Sequence, residues 1–125
     1  MDFLFVIDHP WQGSFNYAVL KSFREGLDPA AHVVDIVDLN QDEFNPVFSE
    51  AELARYGEGA VLDPVVKDYQ SRIASADHLV LIFPIWWNVM PARMKGWLDK
   101  VFTPGFAFTT GQVPEPMLGH VQGAT

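Results

Sequence analysis

Two stretches of this chain, Phe3-Leu4-Phe5-Val6-Ile7 and Leu79-Val80-Leu81-Ile82-Phe83, contain no polar residue. A strand with one face in water alternates apolar and polar positions, because successive side chains point to opposite faces. A strand with no polar face must be covered on both sides. The arrangement that covers it is a parallel sheet with helices packed above and below.

The intervening segments fit such helices. From Ser14, the apolar positions Phe15, Val19, Phe23 and Leu27, joined by Ala18, predict one buried helical face, closed by Gly26 and Asp28-Pro29. His32 to Asp38 mixes β-branched residues with acids, as in a strand nearer a sheet edge. The polar run from Asn40 to Ser49 turns at Phe44-Asn45-Pro46, and a short helix is predicted over Glu50–Tyr56. Asp63 is a good N-cap with Pro64 at the first helical position, and Val65, Val66, Tyr69 and Ile73 supply the stripe of a longer helix. Pro84 stops the third strand. Pro91 opens a helix in which Met94, Trp97, Leu98, Val101 and Phe102 give the clearest amphipathic pattern of the chain. Beyond Phe102 the sequence is Pro/Gly-rich and aperiodic. Alternating strands and helices imply right-handed crossovers and a doubly wound α/β sheet. Ligands of open parallel sheets bind beyond the carboxyl ends of the strands, which directs attention to the loops His9–Asn16 and Pro84–Met90.

Composition narrows the function classes. The chain has 125 residues, 49% of them apolar, enough for one sizeable core and one domain over residues 1–125. Sixteen acids against 8 Lys and Arg give a net charge of −8, which disfavours binding to nucleic-acid backbones and anionic membrane surfaces. With no cysteine, disulfides, thiol catalysis, iron–sulfur clusters and thiolate zinc sites are excluded. Met1-Asp2 leads straight into a strand, with no basic region of a signal peptide. The apolar run from Leu79 to Trp87, broken by Pro84, is about half the ~20 residues a membrane helix needs. The expected location is the cytoplasm.

The first loop carries neither GxGxxG nor GxxxxGK[ST], and Gly13 alone is weak. Ser14 at the helix start, with the N–H groups of Phe15, Asn16 and Tyr17, offers an anion site that needs no Lys or Arg. The competing reading, a plain N-cap, is the commoner one for a lone serine. His9 faces the same region, although a histidine in a turn is more often structural. His32, His78 and His120 share no ligand-like spacing with it, so no metal is assigned. In the second loop, Trp86 and Trp87 make a flat apolar wall that suits an isoalloxazine ring; covering a helix end or a subunit contact is an equal alternative. The acids Asp42, Glu43, Glu50 and Glu52 read as a solvated loop. No nucleophile elbow or Ser/His/Asp arrangement is present, which argues against a hydrolase.

Taken together, several pieces in order resemble the flavodoxin-like NAD(P)H:quinone oxidoreductase family. These are His9 with Ser14-Phe15-Asn16-Tyr17-Ala18, Phe44-Asn45-Pro46, Phe83-Pro84-Ile85-Trp86-Trp87, Pro91 through Phe102, and Gly105-Phe106-Ala107-Phe108. The resemblance spans nearly the whole chain. It implies that His9, Ser14, Phe15 and Asn16 hold the phosphate and ribityl region of a flavin, and that Pro84, Ile85, Trp86 and Trp87 line its isoalloxazine. It places Phe106 and Phe108 at the substrate mouth of a homodimer. The cofactor so implied is FAD, favoured by Phe44-Asn45-Pro46, with FMN as the alternative and NAD(P)H as co-substrate. Hydride would pass from NAD(P)H through the flavin to a quinone, with no catalytic side chain assigned. In the family's strand order the third strand is interior, so C-terminal strands are expected to be missing here, together with a Thr/Gly-rich loop beyond the fourth strand; either the sequence is part of a longer chain or another chain covers that edge. The chain then corresponds to the N-terminal part of a longer domain. Two other readings stay open: a non-catalytic regulatory partner, for example of a potassium-efflux system, and an electron carrier.

Overall fold

A computed structural model describes residues 1–124 of the chain. Its elements are β1 (Asp2–Ile7), α1 (Phe15–Glu25), β2 (Val33–Asp38), α2 (Glu50–Arg55), α3 (Pro64–Ala74), β3 (His78–Ile82), α4 (Ala92–Val101) and β4 (Gln122–Ala124), with a short 3-10 turn at Tyr56–Glu58 after α2. The strands form one parallel sheet in the order β2-β1-β3-β4. The α/β, doubly wound, flavodoxin-like architecture read from the sequence is the one observed.

The all-apolar strands are explained by two cores. Leu4 and Val6 of β1 point to one face, where they pack with Val37, Tyr69, Ile73, Met94, Trp97 and Val101 under α3 and α4. Phe5 and Ile7 point to the other face, where Leu20 of α1, Val80 and Ile82 join them. Alternation along one strand therefore feeds two different apolar layers, and no position of β1 from Leu4 to Ile7 is left for a polar residue. Trp97 and Tyr69, both fully buried, centre the α3/α4 layer, with rings 6.4 Å apart. Burial of such large rings dominates the energetics of a core this size.

Several expectations need correction. The predicted stripe of α1 is rotated: Phe15 is 81% exposed and Phe23 lies at the margin, whereas Leu20 is the buried residue. Phe15 is the first residue of the helix, and periodicity alone does not say whether that turn is covered. Phe23 still reaches the sheet through an edge contact with Phe5, 5.0 Å between centroids. The strand β3 starts at His78 and ends at Ile82, leaving Phe83 in the loop. Pro91 is the N-cap of α4 and precedes its first turn.

The aperiodic tail contains a strand that the sequence reading left out. His78, Leu79 and Val80 pair with Gln122, Gly123 and Ala124, so the edge expected to be bare is covered over the first part of β3. Gln122-Gly123-Ala124 has no β-branched or aromatic residue to announce itself. A local turn, with the Val121 N–H donating to the Leu118 carbonyl, leads into it, and what fixes it is tertiary: the Gln122 N–H donates to the Asp77 carbonyl.

Candidate functional site

The site is built where β1 and β3 end side by side. After Ile7 the chain turns through Asp8 and His9. The Trp11 N–H donates to His9 Nδ1 at 3.0 Å, and the Ser14 N–H donates to the Trp11 carbonyl at 3.1 Å, which rolls the loop into the start of α1. A side chain at Gly13 would collide with the Trp11 indole, whose nearest atom lies 2.7 Å from where its Cβ would stand. A larger residue at position 13 would require the exposed Trp11 indole to shift. Ser14 is buried and caps the helix by accepting the Tyr17 N–H at 3.4 Å. That bond corrects the expectation that three N–H groups are free: Tyr17 is used by the cap. Phe15 and Asn16, as the next positions of the first turn, have no acceptor within the helix.

The second loop is a tight hairpin. Trp86 and Val89 exchange backbone hydrogen bonds of 2.9 and 3.1 Å, and the two residues between them, Trp87 and Asn88, have φ of 51° and 65°. Two successive residues in the left-handed region make a type I′ turn, normally the province of Asn-Gly. A bulky residue held there costs on the order of 1–3 kcal/mol, a form of strain that gathers at functional sites. The turn leaves Trp87 96% exposed and Ile85 at 65%, with Trp86 more covered at 45%. Pro84 is half-buried.

These two loops meet. The His9 and Trp86 rings lie 6.0 Å apart in an edge-on arrangement. Sequence spacing offers no hint of that contact, since 77 positions separate the residues. Tyr17 adds a brace: its hydroxyl donates to Asp38 at 2.7 Å, and the His9 carbonyl lies 3.5 Å away. Burial and the neighbouring Asp38 carboxylate push the Tyr17 phenol well above its usual range, so it stays a donor.

Asp8 is a residue that the sequence reading passed over. It is only 4% exposed. Its backbone N–H donates to the Ile82 carbonyl at 3.1 Å, and its Oδ2 accepts the Met94 N–H of α4 at 3.1 Å. Burial raises its carboxyl above the ordinary value; the Met94 amide and the Arg93 charge pull the other way, and Asp38 adds to the rise. The available signal was weak: a lone acid closing an apolar strand.

The other motifs serve as scaffolding around α4. Phe44 is buried and Pro46 lies against Gly96, where a Cβ would stand 2.2 Å from the Pro46 carbonyl oxygen. Arg93 donates to the Phe44 carbonyl and to Asn40 Oδ1, both at 3.1 Å, and Lys100 donates to the Asn45 carbonyl at 2.9 Å. Nor are the acids of this region a uniformly solvated loop. Asp42 accepts the Tyr69 hydroxyl at 2.9 Å, and Glu52 lies 3.5 Å from the buried Lys100 ammonium. Burial works to raise the Glu52 carboxyl, but the Ser49 amide and Lys100 hold it below its usual value.

Phe106 packs against the α3/α4 core, and Phe108 is bridged to Pro104 and Pro116 in a loop that closes on itself through Gly105 N–H to Phe108 carbonyl and Met117 N–H to Ala107 carbonyl, each 2.8 Å. His32 and His78 flank Phe3 at the opposite end of the sheet, and His120 sits 3.2 Å from the Ala74 carbonyl. An open groove of about 790 Å³ runs beside the first loop between α1 and β2, lined by Gln12, Tyr17, Lys21, Arg24 and Asp38 among others.

A family model for the flavodoxin-like fold matches residues 1–121. The chain belongs to the flavodoxin-like family. Among curated proteins, this flavodoxin-like chain is 32% identical over 122 residues to NAD(P)H dehydrogenase (quinone) 1 of Cavia porcellus, covering 85% of this chain and 44% of that protein. It is also 32% identical to an uncharacterised NAD(P)H oxidoreductase of Haemophilus influenzae, covering 88% and 54%. Among solved structures, the NAD(P)H:quinone oxidoreductase of Methanothermobacter marburgensis superposes with a TM-score of 0.88 at 33% identity, over 97% of this chain and 62% of that one. Two of these three relatives are named as quinone oxidoreductases and the third as an NAD(P)H oxidoreductase. The chain spans about half the length of the curated relatives it matches.

Proposed function

We propose that this chain forms the cofactor-bearing part of a flavin-dependent NAD(P)H:quinone oxidoreductase. The observation that carries the reading is the meeting of the β1–α1 and β3–α4 loops through His9 and Trp86, 6.0 Å apart, at the carboxyl ends of adjacent parallel strands. The quinone oxidoreductase relatives support it.

In this reading the N–H groups of Phe15 and Asn16 take a flavin phosphate at the α1 N-terminus, where the helix dipole favours an anion and an acidic chain needs no cation. The residues fit that role: the Ser14 hydroxyl accepts the Tyr17 N–H, which leaves the Phe15 and Asn16 amides without an acceptor inside the helix. Pro84, Ile85, Trp86 and Trp87 line the isoalloxazine, with the turn fixing the direction in which each indole faces. Phe106 and Phe108 belong to the acceptor side, completed by a second subunit of a homodimer. When bound, the flavin supplies the hydride chemistry that links NAD(P)H to a quinone. The protein's own part is to orient the ring, exclude water and stabilise the charge that develops on reduction. FAD is the cofactor of choice here and FMN its alternative; the setting is cytoplasmic. Among the described residues no helix is long and apolar enough to cross a membrane.

The alternative reading is a regulatory flavodoxin-like partner that holds the cofactor without turnover. Flavin binding and turnover separate the two. The purified chain is titrated with FAD and FMN, followed by visible absorbance and flavin fluorescence, then given NADPH and a simple quinone. Bleaching by NADPH and recovery with quinone is the expected result. Flavin binding without bleaching leaves the regulatory reading in place, and failure to bind either flavin overturns both the cofactor site and the enzyme.

A further inference from the structure

Each of α1, α2 and α3 is capped by its own preceding residue. Ser14 accepts the Tyr17 N–H, Ser49 the Glu52 N–H and Asp63 the Val65 N–H. Among the described residues α4 differs: its N-cap is Pro91, which has no side-chain acceptor. The acceptor comes from another element. Asp8, at the end of β1, reaches the third residue of α4 with Oδ2 3.1 Å from the Met94 nitrogen.

The same residue also holds the other end of the β3–α4 connection. The Asp8 N–H donates to Ile82, the last residue of β3, so the chain leaves Asp8 at Ile82 and returns to it at Met94. Everything between, residues 83–93 including the Trp86–Val89 hairpin, is a loop whose two ends are tied to one buried residue. His9, whose ring meets Trp86, is the next residue along. One buried residue therefore ties both ends of this loop, with its backbone N–H at Ile82 and its carboxylate at Met94.

We propose that Asp8 is the positioning residue of the cofactor site: its hydrogen bond to the Met94 amide closes the 83–93 loop and holds it in register with the 9–16 loop, and flavin affinity depends on that bond. The inference rests on the function proposed above. Its physical basis is preorganisation. A loop pinned at both ends gives up little conformational freedom when a ligand settles on it, whereas a loop with one end released must be ordered at the expense of binding. The bond needs an acceptor at Oδ2 and does not need a charge, so an amide of the same shape should replace it.

The test compares three variants of the full chain. Asp8→Ala removes the acceptor, Asp8→Asn keeps it, and Val66→Ala weakens the α3/α4 core at a buried position away from both loops. Flavin dissociation constants come from fluorescence quenching, and protection of the Met94 amide comes from hydrogen exchange without flavin. The expected result for Asp8→Ala is faster exchange at Met94 with FAD and FMN affinity reduced roughly three- to tenfold, the scale of one lost helix cap. Asp8→Asn restores both, and Val66→Ala lowers the melting temperature while leaving flavin affinity unchanged. Wild-type affinity in Asp8→Ala despite lost protection at Met94 overturns the proposal, as does an Asp8→Asn variant no better than Asp8→Ala. Should the wild-type chain bind neither flavin, the proposed function fails, and the exchange measurement still judges the clamp: unchanged protection at Met94 in Asp8→Ala overturns it.

Discussion

Single residues in this protein do work that their chemical type does not announce. Asp8 stands in a buried place where its ionised form is penalised, and its carboxyl is raised above the ordinary value by that burial. The folded chain therefore takes up the Asp8 proton more readily than the unfolded chain does. The penalty is fully present above the folded pKa and disappears as pH falls to the unfolded value of 3.8. Asp8→Asn keeps the acceptor and deletes the charge, so it should melt at a higher temperature than the wild type at pH 7, with the gain vanishing near pH 4; thermal melts across that range check it. Trp87 offers a second case. Its φ of 51° suits glycine, and Trp87→Gly should stabilise the fold by about 1 kcal/mol in urea unfolding, since the 96% exposed indole contributes little packing. A loss of stability would mean that the indole is held by contacts after all. Both residues were present in the sequence as plain letters. Nothing in a single buried acid or a Trp-Trp pair states burial or backbone angle.

At the scale of elements, α4 is the pivot. Its amphipathic pattern was the clearest in the sequence, and Met94, Trp97 and Val101 are buried as that pattern predicts. Its connections were not legible. Gly96 admits Pro46, Arg93 holds the Phe44 carbonyl, and Lys100 runs inward with 3% of its side chain exposed to meet Glu52 and the Asn45 carbonyl. Helical periodicity places Lys100 on or near the buried face but cannot say that a carboxylate and a carbonyl wait there. Breaking a buried pair by removing one member strands the other, so Lys100→Ala should cost about 3–5 kcal/mol. Replacing both Lys100 and Glu52 with Met should recover most of that loss. Denaturant unfolding of the single and double variants decides, and a double variant as unstable as Lys100→Ala would show that shape, rather than the stranded charge, sets the cost.

For the molecule as a whole, the open edges of the sheet matter most. At β2, alternate backbone groups face outward, and the Ile36 carbonyl among them is taken by Arg72, which also binds Asp35 through two oxygens at 2.7 Å. The Arg72 guanidinium holds the Asp35 carboxyl below its usual value, so that part of the stability is present above the unfolded pKa and lost as acid protonates the carboxylate. A blocked edge is also a defence against pairing between copies. Arg72→Ala should lose about 1–2 kcal/mol at neutral pH. It should also form species larger than those of the wild type, growing with concentration in light scattering; a variant of the same size as the wild type at every concentration would remove the edge-protection role.

What the sequence by itself determined is the architecture. Two strands without a polar face demand helices on both sides, and the strand–helix alternation then leaves one common fold, because periodicity and handedness are local properties summed along the chain. The first loop, with Ser14 opening a helix after a buried strand, was legible for the same reason. Tertiary structure decided the rest. It exposed Phe15, formed β4 from residues with no strand preference, brought His9 to Trp86 and tied residues 82 and 94 to Asp8. Those outcomes depend on which surfaces meet, and a one-dimensional pattern carries the period of a side chain but not the identity of what it will face.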